Sequence, residues 1–149
     1  MVVAYTTKKF LPSLKIKIRL VIESINHIND YMNVSYKSYY GKIQDHNHNH
    51  GSSSTVASYF LVTGNLGGFG GFPNPCPAIN VNSFGPGSDS IKGTSAVFAH
   101  ELGHNFNMGH YGGGSFCKGM ILYNRYSHCA NEDFLAWYHS YGSNCKVFD

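Results

Sequence analysis

The sequence predicts a single α/β domain of the mixed α+β kind, spanning residues 1–149, and three observations carry that prediction. Strand-like and helix-like segments alternate along a chain of 149 residues, the size of one domain. Hydrophobic residues make up 42% and charged residues 13%, so the chain can bury a core and is not a disordered polyelectrolyte. Between residues 100 and 110 a cluster of histidines lies on a helix-type pattern, where chemistry can be set into the fold.

The elements follow in chain order. Val2-Val3-Ala4-Tyr5 reads as a strand followed by a polar turn. Across residues 14–32, Ile18, Val21, Ile22, Ile25, Ile28 and Met32 fall at helical spacing and predict a long amphipathic N-terminal helix of about five turns. Lys15, Lys17 and Arg19 read as its solvated face. Residues 33–43 are rich in strand formers, and Asn33-Val34-Ser35 fits the short acceptor pattern for glycosylation. Residues 45–54 read as a polar surface loop. His46, His48 and His50 alternate there, and a strand would place all three on one side. Residues 58–63 predict a buried strand, and the glycine-rich residues 66–72 predict close backbone approach. Residues 73–92 are rich in Pro, Gly, Asn and Ser and read as a loop.

Composition excludes several function classes. A formal net charge of +3 is too small for a nucleic-acid argument. No apolar run approaches the ~18 residues that span a bilayer. Four cysteines, Cys76, Cys117, Cys129 and Cys145, fit two disulfides in any of three pairings and favour an oxidising, extracellular setting. The first residues lack the charged-then-apolar layout of a secretory signal, so a secreted setting implies that the given sequence begins after its signal and any pro-segment. The oligomeric state is open, with a monomer the simplest expectation.

The informative stretch is His100-Glu101-Leu102-Gly103-His104-Asn105-Phe106-Asn107-Met108-Gly109-His110, behind Thr94-Ser95-Ala96, where a hydroxyl can cap a helix. Positions i and i+4 share a helix face, so His100 and His104 can grip one ion. Glu101 can then reach a water beside that ion without displacing it. Asn107 and Gly109 can leave the helix through left-handed backbone and swing His110 back as a third ligand. Three imidazoles leave a fourth position for water, the layout of a catalytic rather than a structural zinc site. With nine histidines in the chain, H-E-x-x-H with a third histidine at this place arises by chance in about 0.1% of such sequences, which sets it apart from background.

This stretch resembles the extended zinc signature of the metzincin peptidases, H-E-x-x-H-x-x-G-x-x-H, in the wording of the adamalysin (reprolysin) branch of snake-venom and ADAM-type metalloproteases. Asn107 stands where that branch usually has glycine, and Tyr111 where it usually has aspartate. The second change removes a supporting carboxylate. Cys117-Lys118-Gly119-Met120, followed by Tyr126-Ser127-His128-Cys129-Ala130-Asn131-Glu132-Asp133-Phe134, is similar to the family's methionine turn and the start of its last helix. The resemblance implies a twisted mixed sheet with residues 59–64 as an inner strand. It also implies an edge strand over the cleft (residues 66–70), a long N-terminal helix, an active-site helix and a C-terminal helix. Met120 becomes the apolar floor under the histidines. By the same resemblance Cys76 pairs with Cys145 and Cys117 with Cys129. In the last helix Asn131 suits the cap, Glu132 and Asp133 the positive end, and Gly142 the stop. Phe134, Leu135, Trp137 and Tyr138 read as core or cleft wall, and His128 and His139 as structural or exposed.

The resemblance implies a secreted zinc endopeptidase with one catalytic Zn2+ on His100, His104 and His110 and with Glu101 as general base. Calcium binding is open. Its partners are protein or peptide substrates, lying extended along residues 66–72 with side chains near Ile121 and Leu122. The alternative is a metzincin-fold binding toxin or pseudo-protease that occupies a partner's surface without turnover.

Overall fold

The computed structural model describes residues 1–22, 25, 56–62, 67–74, 76–77, 79–84, 91–112 and 119–148. The predicted strand at residues 33–43, the histidine-rich loop at 45–54 and Cys117 lie outside the described residues.

The chain opens with a helix, α1 (Val2–Lys9), and not with a strand. Val2 and Val3 are β-branched, but Val2, Val3, Thr6 and Phe10 fall at helical spacing, and Thr6 and Phe10 are buried. The Thr6 hydroxyl donates to the Ser95 carbonyl at 3.4 Å, and the Ser95 hydroxyl donates to the Val2 carbonyl at 3.3 Å. These bonds pin α1 on the helix that carries the histidines, so tertiary packing overrides local strand preference. Lys8 and Lys9 occupy its last turn, where the helix dipole favours cations. Leu11–Ser13 then form a 3-10 turn with Pro12 near its start.

The long N-terminal helix predicted over residues 14–32 is absent from its described part. From Leu14 onward the chain is non-helical, with a burial period of two. Ile16, Ile18 and Leu20 pack on the core while Lys15, Lys17 and Arg19 face water. Val21, Ile22 and Ile25, which made the stretch look like a helical stripe, are exposed. Lys-Ile-Lys-Ile-Arg-Leu is the alternation of an extended segment with one buried face.

Three described strands form a mixed sheet in the order β1-β3-β2. β1 (Ala57–Val62) runs parallel to β3 (Ile79–Phe84), and β2 (Gly67–Gly70) runs antiparallel to it, with Gly68 opposite Asn82 and Phe69 opposite Val81. Among the described residues β3 lies between β1 and β2. That strand lies inside residues 73–92, which read as loop. Its asparagines disguised it. Asn80 and Asn82 are fully buried because each is hydrogen-bonded: Asn82 Nδ2 donates to Asn80 Oδ1 and Asn80 Nδ2 to Asn105 Oδ1, both at 2.8 Å.

α2 (Ile91–Asn105) lies against β3, β2 and α1. It starts three residues before Thr94, which is buried inside it and does not cap it. Ser95, Phe98, Ala99 and Leu102 form its core stripe, continued by Phe106 just past its end. Ile121–Leu122 (β4) and Arg125–Tyr126 (β5) make a hairpin whose two loop residues, Tyr123 and Asn124, both have positive φ (49° and 65°), as a tight primed turn requires. The last helix, α3 (His128–Ser140), is capped by Ser127, whose hydroxyl accepts from the Ala130 N–H at 3.2 Å. Asn131 does not cap it. Its side chain instead holds the N-terminal segment, donating to the Ser13 carbonyl and accepting from the Lys15 N–H. Glu132 and Asp133 sit beyond the first turn, and Glu132 pairs with Lys15. Phe134 and Trp137 are buried in the core, and Gly142 follows the helix where a side chain would strike the Trp137 ring. Cys76 and Cys145 are joined, tying the C-terminal segment to the loop before β3, and Cys129 is also disulfide-bonded.

Candidate metal centre

One turn of α2 points His100 and His104 the same way. The His104 ring is oriented by the Met108 carbonyl, 2.8 Å from Nδ1; the oxygen can only accept, so Nδ1 carries the hydrogen and the Nε2 lone pair faces outward. The helix ends where the N–H groups of Phe106 and Met108 both bond the Gly103 carbonyl, at 2.9 and 3.0 Å. Asn107 turns there with φ of 67°. Asn107 is the left-handed residue of this turn; Gly109 has no positive φ. The turn brings His110 back, with its Nε2 2.9 Å from His100 Nε2 and 3.0 Å from His104 Nε2.

This donor set fits a cation. Around a tetrahedral zinc, neighbouring ligand nitrogens stand about 3.3 Å apart. His104 Nε2 brings a lone pair to this point, and the ligand nitrogens of the three rings lie close enough together to share one cation. Burial, then the mutual repulsion of the three rings, lowers His100 to about 4. Burial also lowers His104, although the Met108 carbonyl works against it. Both rings are therefore neutral near pH 7, the state in which imidazole binds metal.

Glu101 lies beside the triad, 6% exposed. Burial lifts its carboxyl from 4.5 to about 7, against the lowering effect of a hydrogen bond from the Gly70 N–H. β2 covers it closely: a Cβ on Gly68 would stand 2.6 Å from Glu101 Cγ and 2.7 Å from Oε1. Glycine in β2 thus lets backbone lie directly on the carboxylate. Phe72 continues from β2, half exposed, with its ring centroid 5.2 Å from that of His104.

The model of the reprolysin-like metallopeptidase family M12B matches residues 3–111, well over half of the chain and including the whole histidine signature. The chain belongs to the reprolysin-like metallopeptidases. No curated protein matches it, and no solved structure does. The reprolysin-like match and the triad agree on a metallopeptidase site that can hold one metal ion.

Other residues sort around this centre. Met120 is buried beneath the triad's helix against Gly103. His128 and His139 are exposed on α3 and take no part. Tyr123, at the hairpin tip, is 96% exposed. Tyr111 departs from the expected loss of a carboxylate. Its hydroxyl donates to Asp133 on α3, so a carboxylate is supplied from 22 positions along the chain. Burial and that bond push the phenol up to about 12, keeping it a donor. No local sequence signal links residues so far apart.

Proposed function

We propose that the chain is a zinc-dependent endopeptidase acting on extracellular proteins, with His100, His104 and His110 as metal ligands and Glu101 as general base. One observation carries this reading: His110 Nε2 stands 2.9 and 3.0 Å from the Nε2 atoms of His100 and His104, beside the buried carboxylate of Glu101. A carboxylate beside such a site is placed to take a proton from water bound there. A bound zinc supplies Lewis acidity, acidifying water and polarising a carbonyl. Glu101, oriented by the Gly70 N–H, takes the proton of the attacking water and passes it to the leaving amine nitrogen. Met120 closes the site from below and excludes water. An extended substrate lies antiparallel to β2 through backbone hydrogen bonds, with Ile121 and Leu122 lining an apolar pocket for its side chains. The Cys76–Cys145 bridge supports an extracellular setting, because such bonds persist in oxidising compartments.

The test joins metal content with turnover. The purified chain should carry one zinc and cleave casein, chelator should stop cleavage, and Glu101→Gln should retain zinc without hydrolysis. Peptide cleavage at the parental rate by Glu101→Gln removes the assigned base. Zinc binding with tight protein capture and no turnover supports the pseudo-protease instead.

A further inference from the structure

Of the three histidines, His110 alone is not held by α2, and it alone is exposed. Its direction must come from the chain on either side of it. Both sides are tied by one residue, Tyr111. The Tyr111 hydroxyl accepts from the Gly109 N–H at 3.1 Å and donates to the Asp133 carboxylate. The Tyr111 carbonyl accepts from the Gly119 N–H at 3.0 Å, the residue before Met120. The phenol thus joins the chain just before His110 to α3, and the carbonyl joins the chain just after it to the segment under the site. α3 is itself rigidly placed: Phe134, next to Asp133, is fully buried with its ring 5.2 Å from that of Phe106, immediately after α2.

We propose that Tyr111 and Asp133 form a latch that positions His110 for metal binding. This rests on the metal-site reading above and concerns two residues that do not touch the ion. The ring of Tyr111 packs against the core, as any aromatic residue there could. The hydroxyl does something packing does not need, since its lone pair and its proton are both engaged, one on each side of the turn. A charged acceptor makes the stronger of such bonds, and holding a ligand in its bound geometry lowers the ordering penalty on metal binding. Exchanging aspartate for tyrosine after the third histidine therefore keeps a carboxylate in play, delivered through a phenol.

The experiment uses the full chain stripped of metal. Zinc affinity is read by competition with a chromophoric chelator, the cobalt(II) form by its visible spectrum, and the metal-free fold by its thermal midpoint. Tyr111→Phe keeps the ring and deletes the hydroxyl. It should weaken zinc about 10–100-fold, the range of losses at groups that support metal ligands. It should also change the cobalt band while leaving the metal-free midpoint close to the parent's. Asp133→Ala should match it, and the double variant should be no weaker than either single one, because both delete one latch. Asp133→Asn keeps an oxygen for the phenol and should recover most of the affinity. Should Tyr111→Phe fail to fold, Asp133→Ala gives the same readout from a partly exposed helix position. Zinc affinity within twofold of the parent in Tyr111→Phe, or in Asp133→Ala where the first cannot be read, overturns the latch. A parent that binds no zinc overturns the metal reading itself, and loss on His110→Ala without loss on Tyr111→Phe overturns the latch alone.

Discussion

The sulfur of Met120 lies against the backbone of Gly103, in the turn of α2 that carries His100 and His104. A Cβ at Gly103 would collide with that sulfur and would stand 3.3 Å from Met108 Sδ and Met120 Cε. Alanine normally favours a helix over glycine by about 1 kcal/mol. Here overpacking, at roughly 1–3 kcal/mol, opposes that gain. Gly103→Ala should therefore lower the denaturation midpoint, and Gly103→Ala with Met120→Ala should recover part of the loss. A single variant as stable as the parent would show that the sulfur does not fill this space.

β2 presses on Glu101 in the same manner. A Cβ on Gly68 would also stand 2.7 Å from the Val81 carbonyl, and β3 backbone cannot give way as a flexible side chain can. On the proposed function, the expected outcome of Gly68→Ala is a displaced β2 and a misplaced Glu101 carboxyl: kcat/KM down at least about tenfold, near 1.4 kcal/mol of transition-state stabilisation, at unchanged zinc content. Parental kcat/KM with full zinc would mean that β2 and Glu101 are not coupled.

Glu101 also predicts how the metal-free fold responds to pH. Its carboxyl rises from 4.5 to about 7 on folding, so the folded chain holds that proton more tightly than the unfolded one. The associated stability is complete below about 4.5 and is lost as pH rises through about 7, amounting to about 3 kcal/mol at most. His100, lowered on folding to about 4, acts the other way, its contribution being present above 6.5 and lost on acidification. Glu101→Gln removes only the first effect. Chelated parent and variant, compared by denaturant unfolding from pH 5 to 8, should diverge, the parent losing stability relative to the variant as pH rises. Parallel curves would show that burial does not perturb Glu101.

How much of this was legible in the sequence varies with the range of the interaction. His100, Glu101 and His104 could be placed because i and i+4 meet on any helix, and the turn at Asn107 because few residues tolerate its φ of 67°. The extended run from Lys15 was missed because exposed Val21, Ile22 and Ile25 completed a false helical stripe. β3 was missed because Asn80 and Asn82 look like loop residues until Asn105, on another element, accepts from Asn80, which in turn accepts from Asn82. The Tyr111–Asp133 bond has the same character: each residue is unremarkable until the fold brings the other to it.

Asn107 offers the sharpest separation of backbone from side chain at the centre. Left-handed backbone costs an ordinary L-residue roughly 1–2 kcal/mol, less for asparagine and nothing for glycine. The Gly103 carbonyl accepts from the N–H groups on both sides of this residue, so the turn cannot relax without unwinding the end of α2. Asn107→Gly should match the parent in stability and zinc affinity, since only the backbone conformation is in use. Asn107→Val should lose about 1–2 kcal/mol of folding stability and bind zinc more weakly, because a β-branched residue resists this φ and the strain falls on the path to His110. Equal zinc affinity for the Gly and Val variants would mean that His110 reaches the other two rings without this turn.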